Sequence, residues 1–360
     1  MSKYYRTSKI DKKKAIYNII FGERSNGKTY ALLEKALKNY FDNGKQFAYL
    51  RRWKEDLTAR RASELFSGIL ANGVIEKLSN GEFTGIYYRN KKFYLCNYDD
   101  NKKPVFSDLD IIGYCFSISD GEHDKSTSYP NVNLIIFDEF LTAKTYLPDE
   151  FVLFMNTVST IIRRRTDSTI YMLGNTVNKY SPYFSEMGLT KIQEQKQGEI
   201  VVYKYGNSTL SVAVEYCASN NESKAVHAYF AFDNPKLAMI TGGAWELNVY
   251  PHLPVKYTPS EIRKIFFIEF NDNTYQCNII NKETDYFIYI HIKTTEIKDN
   301  RPLVYTLEPS HKRNYNKSVF KPTDKLQSKI LMLFKTDKVF YQSNDVGDAI
   351  SNYLKICGKI

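Results

Sequence analysis

The sequence predicts an α/β fold, a mainly parallel sheet flanked by helices, followed by a small α+β domain. Three observations carry this reading. Short apolar runs alternate with helical stretches over the first 200 residues, the pattern of strands joined by crossovers. One run, AIYNIIF, leads into GERSNGKT, which fits G-x-x-x-x-G-K-[ST] without a mismatch. Another, LIIF, ends in an Asp-Glu pair, placing two carboxylates where ligands sit in parallel α/β sheets.

In chain order, the first strand is expected over Ala15–Phe21 and an amphipathic helix over Lys28–Tyr40, stopped by Gly44. Gln46–Arg51 is a second strand. Val132–Phe137 is a third, its near-continuous apolar run suiting a strand covered on both faces. A helix entered through Pro148 and Asp149 runs over Asp149–Arg165, and Thr169–Leu173 is a fourth core strand. These elements form a P-loop domain over residues 1–205. Helix formers then mix with turn residues, predicting a linker or small helical subdomain over 206–253. Beyond it, KIFFIEF, YQCNII and YFIYIHI are separated by turns, and Val346–Ile356 is an amphipathic helix. They give a C-terminal α+β domain over 254–360.

Fifty Lys and Arg against 40 Asp and Glu leave a formal charge of +10, which suits a polyanionic partner, nucleic acid ahead of membrane. No run approaches the ~18–20 apolar residues of a membrane span. MSKYYRTSKIDKKKA lacks the apolar core of a signal peptide, so export is not expected. Five scattered cysteines form no C-x-x-C pair, which argues against a zinc ribbon or disulfide framework and for a reducing cytoplasm. The excess of Tyr, Lys and Asn is attributed to coding bias rather than to base stacking.

In the glycine-rich motif, Gly22 and Gly27 let backbone amides converge on phosphates at a helix N-terminus. Glu23, Arg24, Ser25 and Asn26 fill the loop. Lys28 is placed to reach the β- and γ-phosphates of ATP, and Thr29 to ligate Mg²⁺. About 110 residues later, Asp138 is read as holding Mg²⁺ through water and Glu139 as polarising the attacking water. The adjacent Asp-Glu favours hydrolysis over transfer to a small acceptor. Asn178-Lys179-Tyr180-Ser181 lacks the aspartate of a guanine-reading motif. ATP hydrolysis by the additional-strand, catalytic-glutamate class is therefore expected. Asn175, just past a strand, stands where a γ-phosphate sensor would. Arg163, Arg164 and Arg165 either cap a helix C-terminus or supply a finger to a neighbour's site. Arg24 either contacts phosphate, pairs with an acid of an adjacent subunit or is a solvated loop residue. The polar loop Ser117–Asn131 carries Lys125, which either is solvated or grips phosphates without reading sequence.

Together, GERSNGKTYA, GKQFAYLRRWKEDL, YPNVNLIIFDEF and IIRRR…MLGNTVNKYSPYF resemble the genome-packaging ATPases of phi-29-like tailed phages, over about residues 14 to 185. The resemblance implies a homopentameric ring in the host cytoplasm, docked on the portal vertex, that pushes double-stranded DNA through the portal into a procapsid. It implies Arg163 as the trans-acting finger, Lys54 as a second residue reaching across the interface, and Lys125 as a DNA contact. It also implies that the C-terminal domain is a degenerate RNase H-like nuclease fold without nuclease activity, contacting DNA and the portal. A structural RNA partner belongs to some members. Another DNA translocase or helicase of the same ATPase class is the alternative reading, and a structural nucleic-acid-binding protein with a vestigial nucleotide site the non-enzymatic one.

Overall fold

The apolar run after Ile16 becomes strand β1 (Tyr17–Gly22), and every one of its residues is buried. A strand covered on both faces calls for parallel neighbours fed by crossovers. The computed structural model, which describes residues 5–24, 26–120, 127–142, 146–147, 149–175, 181–192, 194–217, 250–270, 273–283, 285–297 and 301–358, has such neighbours. The chain divides into two units: Met1–Ala143 with Asp149–Glu246, and Lys144–Pro148 with Leu247–Ile360.

In the first unit, α1 (Ser8–Asp11) precedes β1, and α2 (Lys28–Asn43) follows it to β2 (Gln46–Arg51). Three short helices, α3 (Ala59–Glu64), α4 (Ser67–Ala71) and α5 (Val74–Leu78), lead to β3 (Gly85–Arg89), β4 (Lys92–Tyr98), β5 (Pro104–Val105) and β6 (Ile111–Ser117). Then come β7 (Val132–Asp138), α6 (Glu150–Ile162), β8 (Thr169–Asn175), α7 (Pro182–Glu186), β9 (Ile200–Lys204) and β10 (Ser211–Tyr216). The sheet runs β3-β4-β6-β2-β7-β8-β1-β10-β9, with β5 attached to β4. From β6 to β10 all neighbours are parallel. Antiparallel pairing is confined to the two edges.

Two sequence expectations are corrected here. The segment read as part of a linker or helical subdomain over 206–253 contributes β10, which pairs in parallel with β1 from Tyr17↔Val212 to Phe21↔Tyr216. SVAVEY is short and carries Glu215 among its apolar residues, so pairing with β1, rather than its own pattern, decides its state. The first unit therefore extends past residue 205, while residues 218–249 lie outside the described residues. The helix expected over 149–165 spans Glu150–Ile162, because Asp149, Arg163 and Arg164 adopt left-handed backbone, with φ of 50, 42 and 65°.

The second unit holds the expected meander, β11 (Ile262–Phe270), β12 (Asn273–Lys282) and β13 (Asp285–Lys293). Its sheet is extended by β14 (Val304–Thr306), β15 (Tyr315–Asn316) and β16 (Val339–Tyr341) in the order β15-β14-β11-β12-β13-β16. Helices α8 (Lys325–Lys335) and α9 (Asn344–Cys357) start at Asp324 and Ser343, whose side chains accept from Gln327 and Val346 amides. Register places Glu269 opposite Thr274 and Asp285 opposite Lys282. The two acids thus sit at opposite ends of the meander, about 26 Å apart.

After α6 the chain is fastened by Arg165, whose guanidinium donates to the carbonyls of Tyr129, Val132, Ile161 and Ile162. The last turn of α6 is thereby tied to the amino end of β7. Arg165→Ala is expected to cost about 2–3 kcal/mol in chemical denaturation, with no rescue by lysine, which lacks the fork of donors. A loss below about 0.5 kcal/mol, the size of an ordinary surface change, would refute the tie.

Candidate nucleotide site

The phosphate loop starts where β1 ends. Gly22 has φ of 151°, and a side chain there would place Cβ 3.0 Å from that of Cys217, so only glycine fits. Gly27, at φ 87°, is the N-cap of α2 and brings no side-chain acceptor, and the first turn holds no acid. The start of α2 therefore presents amides and the positive end of its dipole to an anion. Lys28 is 6% exposed. Its Nζ donates to the Glu23 carbonyl at 2.6 Å and to Asn175 Oδ1 at 3.4 Å. Asn175 lies opposite Gly22 in the β1–β8 ladder, which brings the expected sensor to the expected phosphate lysine. Burial lowers the Lys28 pKa, opposed by Cys217, Asp138 and Glu23. Asn26 Oδ1 accepts the Lys28 amide at 3.3 Å, Arg24 is exposed, and Ser25 lies outside the described residues.

Asp138 closes the other wall. Its Oδ2 accepts from the Thr29 hydroxyl at 3.1 Å and the Tyr49 hydroxyl at 2.9 Å, and its Oδ1 from the Glu139 amide at 3.0 Å. Burial raises the Asp138 pKa, while Arg51 and the bonds from Tyr49 and Thr29 pull it down. A hydroxyl and a carboxylate in hydrogen-bond contact are the hard oxygen donors that Mg²⁺ prefers, so Thr29 and Asp138 fit that ion. The cleft between the walls measures about 240 Å³ and is lined by Asn26, Lys28, Thr29, Asp138, Glu139 and Asn175 among others.

Glu139 sits on strained backbone, with φ of 57°, a left-handed conformation that costs a non-glycine residue about 1–2 kcal/mol. Arg52 holds it there. Its guanidinium donates to the carbonyls of Glu139 and Phe140 and pairs with Glu150 at 2.7 Å, while Glu150 also accepts from Tyr183 at 2.7 Å. The Glu139 carboxylate itself lies on Arg51 at 2.6 Å. Arg51 also reaches Asp56 at 3.4 Å, and Asp56 pairs with Arg61 at 2.7 Å. Burial works against the Arg51 charge, but Tyr49, Glu139 and Asp138 outweigh it and hold its pKa above the ordinary range.

Other expected residues lie elsewhere. Arg163 follows α6, beside the amino ends of β7 and β8, and is exposed. Seven-residue β7 separates that end from Asp138 by about 20 Å. Lys54 is 65% exposed and its Nζ lies 3.3 Å from Asp120, which Lys91 also approaches at 3.5 Å. Lys125 and Asn178–Ser181 do not all fall within the described residues: Lys125 and residues 176–180 are outside them. Sequence reasoning missed Tyr49, Arg51 and Arg52. Their signal was QFAYLRR beside the Asp-Glu strand: Leu50 pairs with Phe137, which sets the following arginines at the level of the carboxylates. It also missed Tyr5, whose amide donates to the Asn26 carbonyl at 2.9 Å and whose hydroxyl donates to Glu215 at 2.6 Å.

A parallel α/β sheet whose central strands end in a glycine-rich loop and an Asp-Glu pair has the fold of a P-loop domain. Residues 1–204 match the model of the Podovirus DNA encapsidation protein (Gp16) family, and the chain belongs to that family. It is 30% identical over 186 residues to the DNA packaging protein of Bacillus phage phi29, and 30% identical over 177 residues to that of Bacillus phage B103. These matches cover 51% and 48% of the chain, and the chain spans about half the length of the curated relatives it matches, 49% and 48%. Two solved structures share its fold at a TM-score of 0.61. One is described as the bacteriophage Phi-29 viral genome packaging motor assembly, at 20% identity over 99% of this chain and 100% of the other. The second is described as the Phi-28 gp11 DNA packaging motor, at 17% identity over 99% and 98%.

The Arg52–Glu150 pair generates a test. Glu150→Ala leaves a buried guanidinium without its counter-charge, so it should destabilise the first unit by about 3–5 kcal/mol. It should also release the Glu139 backbone. Hydrogen exchange of the Glu139 and Phe140 amides reads the second effect; unchanged protection there would refute the positional role.

Proposed function

We propose that the chain is the ATPase of a viral genome-packaging motor, coupling ATP hydrolysis to movement of double-stranded DNA into a procapsid. The observation that carries this is the meeting of Lys28, Thr29, Asp138, Glu139 and Asn175 around one cleft, in a chain of the DNA encapsidation family. The phosphates of ATP lie on the loop from Gly22 to Thr29. Lys28 exchanges the Glu23 carbonyl for β- and γ-phosphate oxygens. Thr29 and Asp138 hold Mg²⁺, which neutralises phosphate charge when bound. Glu139, once turned off Arg51, takes a proton from water as the water oxygen bonds to the γ-phosphorus and the bond to the β-phosphate oxygen breaks. Asn175, already on Lys28, contacts the γ-phosphate.

The protein works as a homopentameric ring on the portal vertex, in the host cytoplasm. Arg163 serves the cleft of a neighbouring subunit, supported by its exposure and by its place at the opposite end of the sheet from its own cleft. Lys54 on its exposed turn assists across the interface, and Lys125 contacts DNA. In the second unit, an antiparallel meander continued from its first strand by parallel strands supports an RNase H-like reading. The separation of Glu269 from Asp285 favours a domain that contacts DNA and portal without cutting.

The direct test is packaging into purified procapsids with ATP and the chain as the only motor protein. Lys28→Ala and Glu139→Gln are each expected to lower DNA-stimulated ATP hydrolysis at least a hundredfold and to abolish packaging. Procapsid-independent unwinding of a forked duplex would instead point to a helicase. Mixing Arg163→Ala subunits into wild type should depress packaging out of proportion to their fraction, and a linear decline would rule out action in trans.

A further inference from the structure

The glycine-rich loop is held at both ends against one strand, β10. At its entry, the Cys217 amide, just past β10, donates to the Phe21 carbonyl at 2.8 Å. At its exit, the Tyr5 amide donates to the Asn26 carbonyl at 2.9 Å. The Tyr5 hydroxyl in turn donates to Glu215 Oε2, on β10, at 2.6 Å, a length typical of a charge-assisted bond.

The segment that carries Tyr5 is itself fixed. Asp11, the last residue of α1, accepts from the Thr7 hydroxyl at 2.8 Å, from Lys35 of α2 at 2.6 Å and from the Tyr171 hydroxyl of β8. The segment is thereby tied to the strands on both sides of β1 and to the helix that follows the loop. Glu215 is 7% exposed. Burial raises its pKa, while the bond from Tyr5 and the charge of Lys9 pull it down. Removing the hydroxyl would leave a buried carboxylate short of a donor.

The bond at Asn26 has a directional consequence. A peptide group is planar and trans, so its C=O and N–H point to opposite sides. Fixing the Asn26 carbonyl on Tyr5 turns the Gly27 N–H the other way, and Gly27 lines the cleft. A carbonyl turned into the cleft would repel phosphate and withdraw a donor from it. Asn26 Oδ1 also accepts the Lys28 amide at 3.3 Å, so Asn26 is held through both its main chain and its side chain.

We propose that Tyr5, anchored on Glu215, is a positioning residue for phosphate binding. It holds the Asn26–Gly27 peptide so that N–H rather than C=O is offered to the anion. The inference rests on the nucleotide reading of the cleft given above. Tyr5 acts through the loop backbone, not through the base or ribose.

Tyr5→Phe removes one hydroxyl and keeps the ring; Glu215→Leu removes the acceptor. In the full chain without nucleotide, exchange of the residue 5 and residue 28 amides, the two bonded to Asn26, should quicken at least tenfold in both variants. The Cys217 amide should keep its protection. Binding of N-methylanthraniloyl-ATP, read by fluorescence, should weaken at least fivefold, and displacement of that probe by tripolyphosphate, which has no base or ribose, by the same factor. Glu215→Gln keeps an oxygen acceptor and should stay within twofold of wild type. Wild-type binding that Lys28→Ala abolishes marks the nucleotide reading itself; if the wild type failed to bind the probe, that reading would fall and the inference with it. Wild-type binding with unchanged affinity in Tyr5→Phe would overturn the tether alone. Weakened ATP with unchanged tripolyphosphate would overturn the backbone route and assign Tyr5 to the nucleoside. Exchange quickened equally at Cys217 would overturn it as well, marking only a general loss of stability.

Discussion

The carboxyl end of the sheet, with its phosphate loop and Asp-Glu pair, depends on one buried ion pair, Arg52 with Glu150, whose side chains are 5% and 0% exposed. Burying two charges is costly, and their attraction offsets the cost only when the remaining donors and acceptors are also used. Here the pair is built into a network. Glu150 accepts from Tyr183, and Arg52 donates to two consecutive carbonyls after β7. Replacing such a pair with matched apolar side chains is often neutral for stability, so its main consequence is positional. It fixes backbone that would otherwise relax from the left-handed conformation at Glu139, and so aims the carboxylate away from the buried strand.

The same economy governs the charges around the cleft. Lys28 rests on a loop carbonyl and on Asn175, Asp138 on Thr29 and Tyr49, and Glu139 on Arg51. Each group that would act on a nucleotide is thus already oriented by a partner weaker than, or displaceable by, phosphate and water. Preorganised dipoles and charges reduce the reorganisation that reaction would otherwise demand. Burial alone would push Lys28 and Asp138 towards their neutral forms. Cys217, Asp138 and Glu23 favour the charged Lys28, and Arg51 with the bonds from Tyr49 and Thr29 favours the charged Asp138.

Much of this was legible in the sequence where local pattern and chemistry coincide. β1, the phosphate loop, α2 and β7 were readable because apolar continuity, glycine placement and the Asp-Glu pair all point to the same geometry. Asn175, expected just past a strand, is the last residue of β8, beside Lys28. Arg51 and Arg52 were not readable, because their meaning depends on β2 lying beside β7, and no local feature of LRRW shows strand adjacency. β10 failed for the same reason: six residues interrupted by Glu215 acquire strand identity from β1.

The parallel topology also explains why the three consecutive arginines do different work. A crossover returns every central strand to the same starting edge, so the residues proposed to bind phosphate collect at the carboxyl ends and the α6–β8 turn at the amino ends. Arg165 points inward there, its Nε and Nη2 donating to the carbonyls of Tyr129, Val132, Ile161 and Ile162 and its Nη1 pairing with Asp167, a structural task. Arg163 and Arg164, on left-handed backbone, are exposed. A guanidinium about 20 Å along the strands from its own chain's cleft exceeds the reach of a side chain to that nucleotide. Action of Arg163 on ATP, as proposed, therefore calls for an ATP held by another subunit.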